Sequence, residues 1–356
     1  MVYVGVDVHK SYLEVTAIDD DERLQSHRRI DNTLESMDAF VQSLDSNTKV
    51  GMESCSYFYP LYNRLEEAGI EAKIAHPLKV KLIAESKIKT DKIDFPVLAQ
   101  LHRIDYLPTS YVPPPEIRHA RDLLRYRTVL ARQRTQVKNR IHHLLEKNGI
   151  KTSSLGYSDI FGKSGLTDLC RLELPTLEKS ILHMDLDLLD YLNHTIERSN
   201  GELARMALEN HQARLLMTIP GIDYYTALLL LMEIGDIRRF SNPRKLCCYS
   251  GLVLGLHQSG ERTSYGHITK QGNKWIRYIL VEAVGHTVRH DAESEIAKMY
   301  ERIKAKKGGS VAKVACARKL LKVIWFTLTR DEPYRYSDAK FVEMKAKRLE
   351  RKAQSS

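Results

Sequence analysis

Three consecutive prolines, Pro113-Pro114-Pro115, divide this chain into two stretches whose apolar residues follow different periods. Proline fixes φ and lacks an N–H, so the triplet reads as a stiff boundary. Ahead of it, period-two runs predict strands at 2–8, 11–18, 23–30, 48–53 and 70–75. Helical spacing predicts helices at 33–44, 57–68, 77–86 and 93–104, the first opened by Asn32 or Thr33. Three short strands in succession, followed by β-α-β alternation, make a mixed sheet with helices on its faces.

Beyond the prolines, residues 116–148 contain neither proline nor glycine, and Leu123, Leu130, Val137 and Leu144 recur every seven residues. So narrow a seam suits a long helix pairing with another helix, a coiled-coil arm that could assemble a homo-oligomer, dimer or tetramer. The arm is rich in arginine, and Arg125, Arg132 and Arg140 either lie along phosphates or form a solvated face. Residues 150–166 read as a Gly/Ser-rich loop, and a second helical region runs from 177 to 216, so that the two helical regions together form an elongated arm or an antiparallel pair. The expected class is α/β followed by α. A mixed-sheet domain spans 1–112, a long-helix arm 116–213, a mostly helical C-terminal domain 214–335 and a basic tail 336–356.

The formal net charge of +10 is unevenly spread. Residues 1–115 hold 13 Lys/Arg against 18 Asp/Glu, and the remainder holds 42 against 27. An acidic module joined to a strongly basic one suggests a polyanion held by one part and cut by the other. The densest apolar run, 227–232, is far shorter than a membrane span. A strand at the very start leaves no room for a signal peptide. Five scattered cysteines without metal-ligand spacing read as reduced thiols, so a cytoplasmic protein with no membrane partner is expected.

Four carboxylates in the first stretch fall where a metal-dependent phosphodiester site would need them. Val2, Val4, Val6 and Val8 share one strand face, so Asp7 projects from the other. Glu53 ends a second apolar run, and Asp91 and Asp94 lie three apart at a helix start with Thr90 as N-cap. Any one of these acids could simply end or cap its element. Together they would repel unless divalent cations neutralised them, and hard oxygen ligands suit Mg²⁺ or Mn²⁺. Two such ions about 4 Å apart stabilise both the attacking and the leaving oxygen of a phosphoryl displacement. The element order fits a ribonuclease-H-like sheet, which places its acids at the centre.

Residues 217–222, Met-Thr-Ile-Pro-Gly-Ile, resemble a helix-hairpin-helix turn, which aims backbone N–H groups near Gly221 at a DNA phosphate. Pro-Gly also marks any tight turn between helices. A long loop over 249–273 then carries Ser259 before Gly260, together with Arg262, Lys270 and Asn273, and Arg277 follows on a helix over 275–289. Here a serine would serve as a nucleophile whose attacked phosphate the cations hold, although most Ser-Gly pairs are turns. Ser264 and Ser250 are candidates for the same role, and the residues by themselves do not choose among the three.

The four acids, the Ile-Pro-Gly-Ile turn and the Ser-Gly…Ile-Thr-Lys-Gln-Gly-Asn segment occur in one order over roughly residues 2–330. That combination resembles the insertion-sequence "IS one-ten" family of DEDD transposases and recombinases. The resemblance implies a RuvC-like domain in which Asp7, Glu53, Asp91 and Asp94 hold Mg²⁺. It also implies a C-terminal domain whose serine, Ser259 by position, becomes covalently joined to DNA. A structured bridge RNA pairing with donor and target DNA completes what it implies. This chain departs from many relatives by reading Leu252-Val253-Leu254, with no proline after Gly-Leu, and by a single serine before Gly260.

The expected activity is therefore DNA strand exchange through a serine–DNA ester. The alternative is a RuvC-like Holliday-junction resolvase or nuclease, using the same acids with metal-activated water. A tyrosine recombinase is suggested by His286-Thr287-Val288-Arg289 and Tyr300, but leaves the first 115 residues unexplained. A sugar-kinase-like ATPase would share Gly5-Val6-Asp7, yet the phosphate-binding glycine loops it needs are not evident. A catalytically inert DNA- or RNA-binding protein would be expected to lack one of the acids.

Overall fold

The computed structural model describes residues 1–84, 94–152, 156–259 and 262–354, with the side chains of 84, 94–96, 256–259 and 262–265 outside that description. By its internal contacts the chain divides at the proline triplet into two units, Met1–Pro113 and Pro114–Ser356.

In the first unit the order is β1 (Val2–Val8), β2 (Tyr12–Ile18), β3 (Leu24–Asp31), α1 (Leu34–Gln42) and β4 (Thr48–Glu53). Then come α2 (Tyr59–Glu67), β5 (Glu71–Ala75), α3 (Pro77–Ala84) and α4 (Asp94–Arg103). Every one of these lies within two residues of its expected bounds. Thr33 caps α1, its hydroxyl accepting from the Ser36 N–H at 3.2 Å. The five strands form one sheet in the order β3-β2-β1-β4-β5. Short connections make β1, β2 and β3 antiparallel neighbours, whereas the helical crossovers α1 and α2 bring β4 and β5 in parallel to β1. This mixed topology is consistent with a ribonuclease-H-like sheet.

Alternation along the strands sorts the two faces. Val4, Val6 and Val8 join Leu13, Val15, Val50 and Met52 in a core closed by Phe40 of α1 and Leu61 and Leu65 of α2. On the other face α4 lies close, with Ala99 packed among Tyr3 and Ile18. Gly51 keeps that approach open, since a Cβ there would stand 3.3 Å from a Leu107 methyl and 3.5 Å from the Leu98 carbonyl oxygen.

The second unit begins with α5 (Pro115–Lys147), α6 (Lys163–Arg171), α7 (Thr176–Glu209), α8 (His211–Met217) and α9 (Tyr224–Ile234). It continues with α10 (Pro243–Tyr249), β6 (Leu254–Ser259), β7 (Arg262–Ile268), α11 (Lys274–His290), α12 (Glu295–Lys307), α13 (Gly309–Arg330) and α14 (Ala339–Gln354). Pro115 opens α5 at a position where its missing N–H costs nothing.

Leu130, Val137, Ile141, Leu144 and Leu145 of α5 pack against Leu182, Leu186, Leu189, Leu192 and Ile196 of α7. The two long helices thus form the expected antiparallel pair within the chain. The seven-residue seam also expected to join protomers is closed by α7, which is long enough to run beside α5 and carries a matching stripe. The expected loop at 150–166 gives way to α6 from Lys163. The expected long loop at 249–273 holds an antiparallel hairpin, β6 with β7. The basic tail forms α14, whose Leu349 is buried in the core of Leu228, Leu280, Leu320 and Ile324. No described helix is long and apolar enough to cross a membrane.

Candidate catalytic site

Asp7 and Glu53 stand side by side near the ends of the two central parallel strands. The register that pairs Val6 with Met52 places them next along β1 and β4, on the face opposite the valine core. The Asp7 carboxylate is about a quarter exposed and lies 3.0 Å from His9 Nε2. His9 in turn stacks on Tyr12 at 4.4 Å, and Arg29 covers that ring at 3.5 Å. Cys55, whose thiol donates to the Val8 carbonyl at 3.3 Å, marks the closeness of both acids. Burial pushes this thiol up, and the charges of Asp7 and Glu53 push it further.

Helix α4 runs against β1. Its last residue, Arg103, donates to the Asp20 carbonyl at 3.1 Å, and Asp20 accepts from the Tyr3 hydroxyl at 3.3 Å, at the start of β1. The opposite end of α4, beginning at Asp94, therefore points toward the Asp7 end of the strand. The Asp94 side chain, Thr90 and Asp91 lie outside the described residues.

A further acid shares the Asp7 face. Glu14 is the direct cross-strand partner of Asp7, and His27 Nε2 lies 3.4 Å from it. Its signal was present in β2, where Tyr12, Glu14 and Thr16 alternate with apolar Leu13, Val15 and Ala17. Asp7 and Glu53 are hard oxygen donors and suit a divalent cation in kind. Among the described residues no group of three or more His, Cys, Asp or Glu could hold a metal ion. They would thus form only part of a ligand set.

In the second unit, Ser259 ends β6 and pairs in register with Arg262 beside the hairpin tip, while Ser264 pairs with His257. The side chains of these four residues, and Gly260, lie outside the description. Ser250 is fully buried and its hydroxyl donates to the Cys247 carbonyl at 2.8 Å, so it is no candidate for attack on DNA. Tyr300 is likewise buried, which removes the basis of the tyrosine-recombinase reading.

The base of the hairpin is locked by the residues expected to hold phosphate. Asn273 Oδ1 accepts from the Trp275 and Ile276 N–H groups at 2.9 and 3.2 Å, capping α11, and its Nδ2 donates to Glu233 at 2.7 Å. Arg277 donates to the Ser250 and Gly272 carbonyls at 2.7 and 3.1 Å. Gly272 takes φ +129°, where a Cβ would stand 2.3 Å from the Tyr249 carbonyl oxygen. Lys270 remains exposed.

The arginines of the arm are also engaged inside the chain. Arg125 makes two hydrogen bonds to the fully buried carboxylate of Glu233, at 2.7 and 2.9 Å. Arg140 donates to Asp185 at 3.1 Å, and Arg132 lies over the rings of Trp275 and Tyr278 at 5.5 and 4.7 Å. Glu233 escaped notice in the sequence, although a carboxylate in the apolar run Leu-Leu-Leu-Leu-Met-Glu-Ile has to find a cation.

The turn at Gly221 differs from an open phosphate cradle. Its φ is +78°, and a Cβ would stand 2.0 Å from the Thr287 hydroxyl, so the glycine backs onto α11. The N-terminus of α9 is capped by Asp223, which accepts from the Thr226 N–H at 2.8 Å. A phosphate arriving there would meet a carboxylate.

An acid-bearing mixed sheet followed by a basic, mainly helical unit defines the class of this protein. Residues 4–149 match the profile of the DEDD transposases of the IS110 group, and residues 213–301 match the profile described as the IS116/IS110/IS902 transposase family. The chain is 28% identical over 347 residues to the transposase for insertion sequence element IS1111A of Coxiella burnetii, covering 93% of this chain and 91% of that one. It is 26% identical over 294 residues to the IS1328 transposase of Yersinia enterocolitica, covering 79% and 84%. The pilin gene-inverting protein of Moraxella bovis is 33% identical over 131 residues, 35% of this chain and 39% of that one. The chain belongs to the IS110 family of insertion-sequence transposases.

Proposed function

We propose that this transposase exchanges DNA strands by metal-dependent serine transesterification, guided by a structured RNA. The observation that carries the reading is the pairing of Asp7 and Glu53 at the ends of adjacent central strands. With Asp91 and Asp94 they would hold Mg²⁺ or Mn²⁺, which when bound supplies charge to the phosphate and its leaving oxygen. Residues 1–112 are then a RuvC-like DEDD domain, 116–213 the arm, and 214–335 the domain that carries the nucleophile.

In the chemical step the Ser259 hydroxyl oxygen attacks phosphorus. The Oγ–P bond forms, the bond from phosphorus to the departing deoxyribose oxygen breaks, and the proton lost by serine is balanced by the one that oxygen takes up. The resulting ester conserves the energy of the phosphodiester, so a freed hydroxyl of another strand can reverse the step without ATP. Arg262 and the exposed Lys270 would hold the attacked phosphate. The basic surplus of residues 116–356 suits donor and target DNA and the guide RNA. Assembly as a dimer or tetramer belongs to the same reading, by surfaces other than the α5 seam.

Incubation with a nicked substrate that traps cleavage tests it. Wild-type protein should form a covalent DNA adduct that maps to Ser259, and Ser259→Ala should form none. An adduct at Ser264 would move the nucleophile from β6 to β7. Metal-dependent cutting without an adduct, unchanged by Ser259→Ala, would replace the reading with a resolvase that uses water.

A further inference from the structure

The turn joining α8 to α9 directs three backbone carbonyls at one point, and a side chain from the far end of the chain fills it. Lys345 of α14 donates to the carbonyl oxygens of Met217, Ile219 and Ile222 at 2.7, 3.0 and 2.7 Å. An ammonium has three protons, and all three are used. The Phe341 ring lies 4.7 Å from the same nitrogen. Burial lowers the lysine pKa to about 8 against the opposing pull of Asp223, which leaves it charged at neutral pH.

A cluster of carbonyl oxygens around one point is how proteins coordinate monovalent metal ions in place of water. Left empty, three converging dipoles repel one another and the end of α8 lacks a cation where its dipole favours one. We propose that Lys345 is a tethered cation, occupying a three-carbonyl site that would otherwise take a monovalent metal ion and thereby fixing the 218–222 turn.

The surroundings suit that role. Helix α14 is held independently of the lysine, by Leu349 in the core and by the ion pair of Lys352 with Glu197. The turn also meets α11, where the Thr287 hydroxyl shares its proton between the Ala283 carbonyl at 2.9 Å and the Pro220 carbonyl at 3.2 Å. The Tyr334 N–H donates to the Thr218 hydroxyl at 2.9 Å, bringing the segment ahead of α14 onto the same turn. None of these contacts supplies the charge that the three carbonyls require.

The test uses the full chain melted in chlorides of potassium, sodium, lithium and tetramethylammonium at equal ionic strength. Wild-type protein should melt at one temperature in all four. Lys345→Ala should melt roughly 5 °C lower in tetramethylammonium and recover part of that loss in potassium or sodium. Equal melting of Lys345→Ala in all four salts would overturn the proposal. Should that variant fail to fold in any salt, Lys345→Arg and Lys345→Met decide. Arg retaining more stability than Met supports a cation at this point, and Met matching the wild type refutes it.

Discussion

Arg125 and Glu233, separated by 108 positions in the chain, meet in a two-pronged ion pair with hydrogen bonds of 2.7 and 2.9 Å. The carboxylate is fully buried and also accepts from Asn273, the residue that caps α11 at the base of the β6–β7 hairpin. One arginine of the arm thereby braces the hairpin that carries Ser259.

Removing that arginine leaves a buried charge without its main partner. Arg125→Ala should destabilise the second unit by about 3 kcal/mol, whereas Arg140→Ala, whose guanidinium is half exposed beside Asp185, should cost no more than about 1 kcal/mol. Urea unfolding followed by circular dichroism measures both. Equal losses would mean that Glu233 is held by its other partners.

Polar substitutions in the α5 seam should unfold the arm. Leu130→Asn and Val137→Asn place an amide in the apolar cluster shared with Leu189, Leu192 and Ile196 of α7, at a cost of about 3 kcal/mol each. Sedimentation and helicity measured together separate the outcomes. Dissociation with full helicity would show that the seam also serves another protomer.

The acids should divide by role. Asp7→Asn or Glu53→Gln should reduce cleavage by roughly 1,000-fold or more while DNA binding persists. Glu14→Gln removes a like charge directly opposite Asp7 and should raise metal-free stability by about 0.5 kcal/mol. Cleavage assays beside thermal melts read both effects. Near-normal cleavage by a folded Asp7→Asn protein would remove this residue from the site.

His102 should make the first unit sensitive to acid. Its ring is buried, with Nε2 3.6 Å from a Glu71 carboxylate oxygen. Burial lowers its pKa below the usual 6.5, with Lys73 adding to the shift and Glu71 opposing it. The unfolded chain then binds the proton more readily, so stability is intact above about pH 6.5 and falls as the pH drops toward the folded value. His102→Gln should flatten the melting curve between pH 7.5 and 5.5 for this unit. A wild-type curve already flat across that window would refute the assignment.

Much of the first unit was legible because its elements obey local periods. Alternating valines on β1 and regular spacing on α1 and α2 left little choice of boundary, and the order of elements limited the sheet to few arrangements. The β6–β7 hairpin escaped because its strands are largely polar, Leu-Gly-Leu-His-Gln-Ser and Arg-Thr-Ser-Tyr-Gly-His-Ile, and show no apolar alternation. Main-chain pairing makes it, and pairing leaves little mark on composition.

The sequence by itself determined which residues face a core, because burial of apolar side chains has a period that a single element displays. It also carried the resemblance to the IS110 family. Only the tertiary structure decided what the charged residues do. Whether an arginine meets a phosphate or a carboxylate depends on what another element brings within about 3 Å, and Glu233, Asp185 and the carbonyls capped by Lys345 all come from distant parts of the chain. Charge acts through space, so its partners are not written in the spacing of the residues that carry it.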